Sequence, residues 1–387
     1  MKRKIAFLFA LLLVSQATLS CADSTTTKPP TGSTSTSTSI PTTDTDGPTE
    51  ETRLYPDLPE MDYEKEEIQI YIAYNTDGSS FHGVPKNEFA ATEENADPIN
   101  DARYRRTLAV EEKFNVKISN LDFNEKYNTN YASGAVPTVI NKLVSSGTNE
   151  YAFMLLPGLA TASLATNHVL QDLWEMEYLG LNEPWWDQRA NAELTVMDRL
   201  FFTAGDILTA DNDATCVVLF NKLLASQFDL PDLYQMVEDG TWTFDAMYAL
   251  CDEIANDLNG DLVYDENDRY GALLWDDIAV GVVNAVGERC AVVDDDGYLS
   301  LTINNERVID ALTKYAEFGR DKTKSFQYQR VSPGDELAID MFVNNQSLFL
   351  LQLMQIVPGL RNMETDFGIL PMPKHDEAQS SYYHTVG

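Results

Sequence analysis

From residue 66 onward short apolar strands alternate with helical segments, and this alternation limits the fold more than any other feature. Ile68-Gln69-Ile70-Tyr71-Ile72-Ala73-Tyr74 reads as a strand, closed by the turn residues Asn75-Thr76-Asp77-Gly78. Residues 98–114 place Ala102, Leu108, Ala109, Val110 and Phe114 among charges at helical spacing, and Val116 to Leu121 follows directly as a second strand. Helices are predicted over 136–144, 221–227, 243–255, 277–286 and 303–318, and near 355–363. Further strands are predicted over 151–156, 200–203, 216–220, 270–275, 347–351 and 367–370, with a hairpin over 291–301 around Asp295-Asp296-Gly297. Such a pattern predicts an α/β protein whose parallel sheets are covered on both faces.

The first sixty residues lie outside that pattern. Met1 to Ser20 combines a basic start (Lys2, Arg3, Lys4) with an apolar run from Ile5 to Val14, which is too short to span a bilayer and reads as a signal peptide. Ser20-Cys21 resembles the bacterial lipobox, in which the cysteine becomes the lipidated N-terminus, although Thr18 stands where that box usually has leucine. Ordinary secretion with an incidental cysteine is the alternative. Residues 22–50 contain 16 Ser or Thr and a single large aliphatic residue, Ile40, so they cannot bury enough surface to offset their ordering entropy. A flexible linker over 21–62 would reach on the order of 30 Å from its anchor. These features place the protein on the extracellular face of the cell membrane, held by a lipid anchor.

Removing residues 1–20 takes three positive and no negative charges from a formal net charge of −34, leaving −37. A chain this acidic is unsuited to nucleic acid, whose phosphates demand Lys and Arg, and to a polybasic membrane contact. Cys216, Cys251 and Cys290 are far apart, and neither they nor the four histidines have zinc-site spacing. They read as isolated buried thiols, with one disulfide and a leftover thiol as the alternative. The roughly 320 residues after the linker suit one large unit or two lobes of roughly 150 residues each.

One local constellation points to a cation. In Asp257-Leu-Asn259-Gly-Asp261-Leu-Val263-Tyr-Asp265-Glu-Asn-Asp268, oxygen side chains fall at loop positions 1, 3, 5, 9 and 12, and Val263 supplies a carbonyl at position 7. Hard oxygen ligands at this spacing wrap Ca2+ in an EF-hand-like turn, here between a helix and a strand, as a structural staple. Leu262 replaces the usual glycine of position 6, and Asp268 is shorter than the usual glutamate of position 12. An acidic solvated turn is the alternative.

No GxSxG, HExxH or Walker glycine loop is present, and among 61 acidic residues no spacing singles out the carboxylate pair a glycosidase needs. The chain does not read as an enzyme. Trp185, Trp186 and Trp275 border loop-like segments, where flat rings could stack on the C–H faces of a sugar, with core packing as the alternative. Asp276-Asp277 could face a cleft at a strand end or simply favour a helix N-terminus. Trp242, just before a helix, reads as a hydrophobic staple.

The chain resembles the extracellular solute-binding lipoproteins of ABC importers, in particular their sugar-binding group. The residues carrying the resemblance are Asn100-Asp-Ala-Arg-Tyr-Arg-Arg106, Val110-Glu-Glu-Lys-Phe-Asn-Val116, Pro184-Trp-Trp-Asp187, Val218-Leu-Phe-Asn-Lys222, Gly240-Thr-Trp-Thr-Phe244, Asp257-Leu-Asn-Gly-Asp261 and Asp366-Phe-Gly-Ile-Leu-Pro-Met-Pro-Lys374. The resemblance implies a periplasmic-binding-protein-like fold of two α/β lobes joined by a hinge. Lobe one would comprise 66–210 with 335–365, and lobe two 216–330 with 372–387; the crossings would fall near 209–216, 325–336 and 368–372. Members usually continue well past the equivalent of residue 374, so lobe two is expected to be incomplete or unusually small. The implied partners are a carbohydrate, bound between the lobes, and the permease subunits that receive it. Asn75, Thr76 and Asp77 would hydrogen-bond sugar hydroxyls, Trp185 and Trp275 would stack on the ring faces, and Asp276 would be a polar partner.

Overall fold

The computed structural model describes residues 56–73, 88–89, 91–127, 134–148, 151–209, 211–331 and 334–385. The signal peptide, Cys21, residues 21–55 of the linker, and Asn75, Thr76 and Asp77 lie outside the described residues. The described chain divides into two compact α/β units. One runs up to Leu194 and takes in 199–209; the other comprises 195–198 and the residues from 211 on.

In the first unit, β1 (Glu66–Ile72), β2 (Val116–Asp122) and β3 (Phe153–Leu155) form a parallel sheet in the order β2-β1-β3. The period of two along β1 sorts its side chains. Ile70 and Ile72 join one core with Val110, Phe114, Val116 and Ile118, whereas Tyr71 joins a second core with Phe123, Val136, Ile140 and Leu164. Helices cover both faces, as parallel strands require. They are α1 (Pro98–Phe114), α2 (Phe123–Tyr127), α3 (Ala135–Ser145), α4 (Gly158–Thr166) and α5 (Gln188–Leu194). The start of α1 is fixed by Asp97, whose carboxylate accepts from Asn100 N, and by Pro98; its end is fixed by Asn115 in the left-handed conformation. Its inward face carries Arg103 and Arg106 beside Val110 and Phe114.

The second unit contains a five-stranded sheet in the order β10-β4-β9-β5-β8. Its strands are β4 (Cys216–Asn221), β5 (Tyr270–Leu274), β8 (Ser325–Gln327), β9 (Ser347–Leu353) and β10 (Phe367–Pro371). The separate hairpin of β6 (Ala291–Val293) and β7 (Leu299–Leu301) falls within the predicted span. Around the sheet lie α6 (Lys222–Gln227), α7 (Leu233–Glu238), α8 (Phe244–Leu250), α9 (Ile278–Ala285), α10 (Glu306–Arg320) and α11 (Gly334–Val343). Every residue of β4 and β5 is buried. At Gly271 the packing leaves no room for a side chain, because a Cβ there would come within 2.3 Å of Cys251 Cβ. Cys216, Cys251 and Cys290 are all free thiols. Burial pushes the Cys216 thiol up to about 11, so it is an inert apolar filler.

Several expectations need correction. The second sheet is mixed, because β4 runs antiparallel to both β10 and β9 while β9, β5 and β8 are parallel. Residues 335–365, expected in lobe one, belong to the second unit, where β9 is the middle strand between β4 and β5. The expected crossings at 325–336 and 368–372 therefore lie inside that unit, as β8 and β10. Residues 200–203 are irregular rather than a strand, and 354–360 form a 3-10 helix rather than an α-helix. Helix α8 stops at Leu250, since Gly271 and Cys251 lock the following turn against β5.

Candidate functional site

Open α/β sheets bind ligands outside the carboxyl ends of their parallel strands, where loops diverge. In the second unit that edge is formed by β5, β8 and β9, ending at Leu274, Gln327 and Leu353. Trp275 and Asp276 leave β5 there. The Trp275 carbonyl accepts from Tyr315 Oη at 2.6 Å and from Ile278 N at 3.3 Å, which pins the corner before α9. Asp276 points an exposed carboxylate to within 4.0 Å of the exposed guanidinium of Arg330, and Asp277 heads α9 without a capping hydrogen bond. Beneath them Gln352 donates to Tyr328 Oη at 2.8 Å and to Asp335 Oδ1 at 3.2 Å, and its own carbonyl accepts from Leu353 N at 2.7 Å. Burial pushes the Tyr315 and Tyr328 hydroxyls up, so both stay protonated at neutral pH. The result is a buried, hydrogen-bonded floor carrying exposed carboxylates and a guanidinium. Ionised planar groups of this kind make strong, charge-assisted hydrogen bonds.

In the first unit the switch point of the sheet lies beside β1, flanked by β2 and β3. At its carboxyl end Tyr71 Oη accepts from Lys126 Nζ at 2.7 Å and lies 3.3 Å from Tyr127 Oη. The Tyr71 ring packs against Tyr151 at 4.9 Å and Phe123 at 5.8 Å. Asn75, Thr76 and Asp77 follow this end of β1, outside the described residues.

The two tryptophans expected to stack on sugar do not present a face. Trp185 is 3% exposed and Trp275 6%, each packed into the core of its own unit. Trp186 is buried beside Trp185 and donates to Leu179 O at 2.9 Å. Large rings near irregular segments were the only signal, and here those segments close over them. Of the expected site residues, the structure thus keeps Asp276 at an accessible edge, with Trp275 as the buried pivot that aims it. Arg330, Asp335, Tyr328 and Gln352 were missed. Two of them, Tyr328 and Arg330, follow β8, a three-residue strand too short to show periodicity.

The calcium-like loop is closed on itself. The Asp257 carboxylate accepts from Gly260 N at 2.6 Å and Leu262 N at 2.8 Å, and Asp261 accepts from Val263 N at 2.7 Å. Buried Asp268 accepts from Leu258 N and Asp265 N, each at 2.9 Å. Leu262 takes the left-handed φ of 65° that glycine would otherwise supply. Among the described residues no group of three or more His, Cys, Asp or Glu side chains is placed to hold a metal ion.

No protein-family model and no curated protein matches the chain. Among solved structures it is similar to an ABC substrate-binding protein of Listeria monocytogenes in complex with cycloalternan, at 14% identity and a TM-score of 0.45, covering 80% of this chain and 66% of that one. It is also similar to an extracellular solute-binding protein of Staphylococcus aureus in complex with maltose, at 12% identity and a TM-score of 0.49, covering 83% and 68%. A third is the maltose/maltodextrin-binding domain MalE of Bdellovibrio bacteriovorus bound to maltotriose, at 14% and 0.43, covering 83% and 69%. The chain thus spans about two thirds of the length of these structures.

Proposed function

We propose that this protein is an extracellular receptor of an ABC importer, lipid-anchored through Cys21, that captures a carbohydrate and passes it unaltered to membrane permease subunits. The observation that carries this reading is the corner after β5, where Asp276 and Arg330 stand exposed over the fixed floor of Tyr315, Tyr328 and Gln352. Exposed planar ions on a rigid base suit hydroxyl-rich ligands, since little ordering is left to be done on binding. Asn75, Thr76 and Asp77 supply further hydroxyl partners in this proposal. The acidic exterior and the Ser/Thr tether support an extracellular setting.

Thermal-shift screening of the full chain against an oligosaccharide panel, with amino acids and peptides as controls, tests the reading. At a hundredfold excess over Kd, the bound sugar stabilises by about 2.7 kcal/mol. Asp276→Ala should abolish most of that shift without changing the melting temperature of the free protein. Recovery of cleaved glycan from the incubations would replace the receptor with a hydrolase. A shift caused only by long polymers would point to adhesion.

We infer also that calcium is the cation suited to the 257–268 loop. Asp257, Asp261, Asp265 and Asp268 crowd one turn, and among the described residues no ion pair with Lys or Arg involves any of them. Binding would require Asp257 and Asp261 to turn from main-chain N–H groups toward the ion, so half-saturation is expected at about 0.1–1 mM, the range of extracellular modules. Calcium should raise the melting temperature of the wild type and leave that of Asp257→Asn with Asp261→Asn unchanged. A wild-type transition indifferent to both calcium and chelator would remove the ion from the account.

A further inference from the structure

The β6–β7 hairpin turns its apolar face outward. Ala291 pairs with Leu301 and Val293 with Leu299, which puts these four side chains on one face, and Leu299 and Leu301 are 63% and 84% exposed. Tyr298 and Ile303, which adjoin β7 in the chain, are also exposed. A two-stranded hairpin with a bare apolar face gains nothing from its own core, so its order has another source. Asp294 supplies it. The Asp294 carboxylate accepts from Tyr298 N at 2.9 Å, Asp296 N at 3.1 Å and Ser300 Oγ at 3.2 Å, and these bonds hold it below the usual carboxylate range. Its main chain pairs with Tyr298 and Gly297, and Thr302 N returns to Cys290 O at 3.0 Å.

The same pattern fixes the free edge. Asp294 N bonds Tyr298 O and Thr302 N bonds Cys290 O, so the even-numbered residues face each other across the hairpin. Leu299 and Leu301 therefore direct their N–H and C=O groups away from β6, and among the described residues nothing receives them. The edge carries no lysine, proline or bulge of the kind that ordinarily blunts such edges. Charge then selects what fits. Between Arg289 and Arg307 the chain has Asp294, Asp295, Asp296 and Glu306 and no Lys or Arg. A second copy of this chain would bring a like-charged, acidic rim to an already strongly acidic molecule.

We propose that the outer edge of β7 is a docking strand for a partner protein that adds an extended segment with apolar residues at alternate positions and Lys or Arg flanking them. Strand addition supplies main-chain hydrogen bonds, the leucine face supplies burial, and the Asp295-Asp296 tip selects the basic flank. Three residues of edge set a transient engagement, with a Kd at about the micromolar level. The inference does not depend on what sugar, if any, the protein carries.

The test uses fluorescence anisotropy on the full chain with a labelled peptide of alternating valine and lysine, beside the same peptide carrying glutamate for lysine. The basic peptide should bind and the acidic one should not. Leu301→Pro removes an outward N–H at an edge position that tolerates proline, and should weaken binding at least about tenfold while leaving net charge unchanged. Should that variant melt early, Leu301→Thr, which keeps the strand and removes the apolar contact, gives the same comparison. Asp295→Asn with Asp296→Asn should erase the preference for the basic peptide. Undiminished binding by both Leu301 variants, or equal binding of the two peptides, would overturn the proposal. So would a concentration-dependent dimer in sedimentation that Leu301→Pro converts to monomer, since a second copy would then be the occupant.

Discussion

Glu88→Gln is expected to destabilise the first unit by about 3–5 kcal/mol, the cost of removing one partner from a buried ion cluster. Glu88 is fully buried, and its carboxylate serves two guanidinium groups and a threonine at once. Arg106 Nη1 lies 3.0 Å from one oxygen and Arg103 Nη2 3.1 Å from the other. Thr209 donates through its main-chain N at 3.1 Å and its hydroxyl at 2.6 Å, and Arg103 also reaches the Thr209 hydroxyl. Arg106 further donates to Ile207 O and covers the Phe89 ring at 4.5 Å. Burial alone pushes the Arg106 guanidinium down, and the Glu88 carboxylate opposes that push. Glutamine keeps the size but removes the charge, and its amide hydrogens would face donors. Two cations would then share a dry site with nothing to balance them. Urea unfolding followed by a probe in the first unit measures the loss. If Glu88→Gln cost less than about 1 kcal/mol, the cluster would be no more than a solvated ion pair. Replacing Glu88, Arg103 and Arg106 together by apolar residues of similar volume should cost less than the single change, because no orphaned charge remains. Thr209 is the last residue of the first unit.

How far the sequence discloses this molecule depends on which physical signal each part rests on. Strand β1, helix α1 and strand β4 follow from periodicity and cap residues, because apolar spacing and an Asp97-Pro98 start leave few alternatives. Strand direction is a different matter. Nothing in Val217-Val218-Leu219 says that it runs antiparallel to both neighbours, and nothing in Ser347–Leu353 says that it lies between β4 and β5, the pairing that places 335–365 in the second unit. Arg103 and Arg106 look like the solvent face of an amphipathic helix until Glu88 is seen opposite them. The pairings span 15 and 18 residues, beyond any local pattern. The candidate site divides the same way. Asp276 is legible from its place after a strand, since acidic residues at such corners either cap a helix or stay exposed. That Trp275 turns inward, and that Gln352 and Tyr328 form the floor, depends on β8 and β9 lying beside β5, which no spacing in the chain reveals.

Trp242→Ala should be the costliest single truncation in the second unit, at about 3–5 kcal/mol. The ring is fully buried, lies 5.6 Å from the Phe349 ring, and donates from Nε1 to Pro371 O at 2.9 Å. It thus joins three elements: the approach to α8, the middle strand β9 and the end of β10. The main chain doubles the link, because Lys374 N donates to Trp242 O at 3.1 Å and Phe244 N to Lys374 O at 3.0 Å. A hydrophobic staple onto the following helix would touch that helix and little else, and its loss would be a local fraying. The observed contacts instead tie segments more than a hundred residues apart, so the cavity left by alanine opens at the centre of the sheet. Trp242→Phe separates the two contributions: it keeps most of the burial and gives up the indole donor, leaving Pro371 O without it, for about 1–2 kcal/mol. Chemical denaturation of the two variants checks the order. Equal costs for Trp242→Ala and Trp242→Phe would mean that the hydrogen bond to β10, and not the packing against Phe349, is what holds the sheet edge in place.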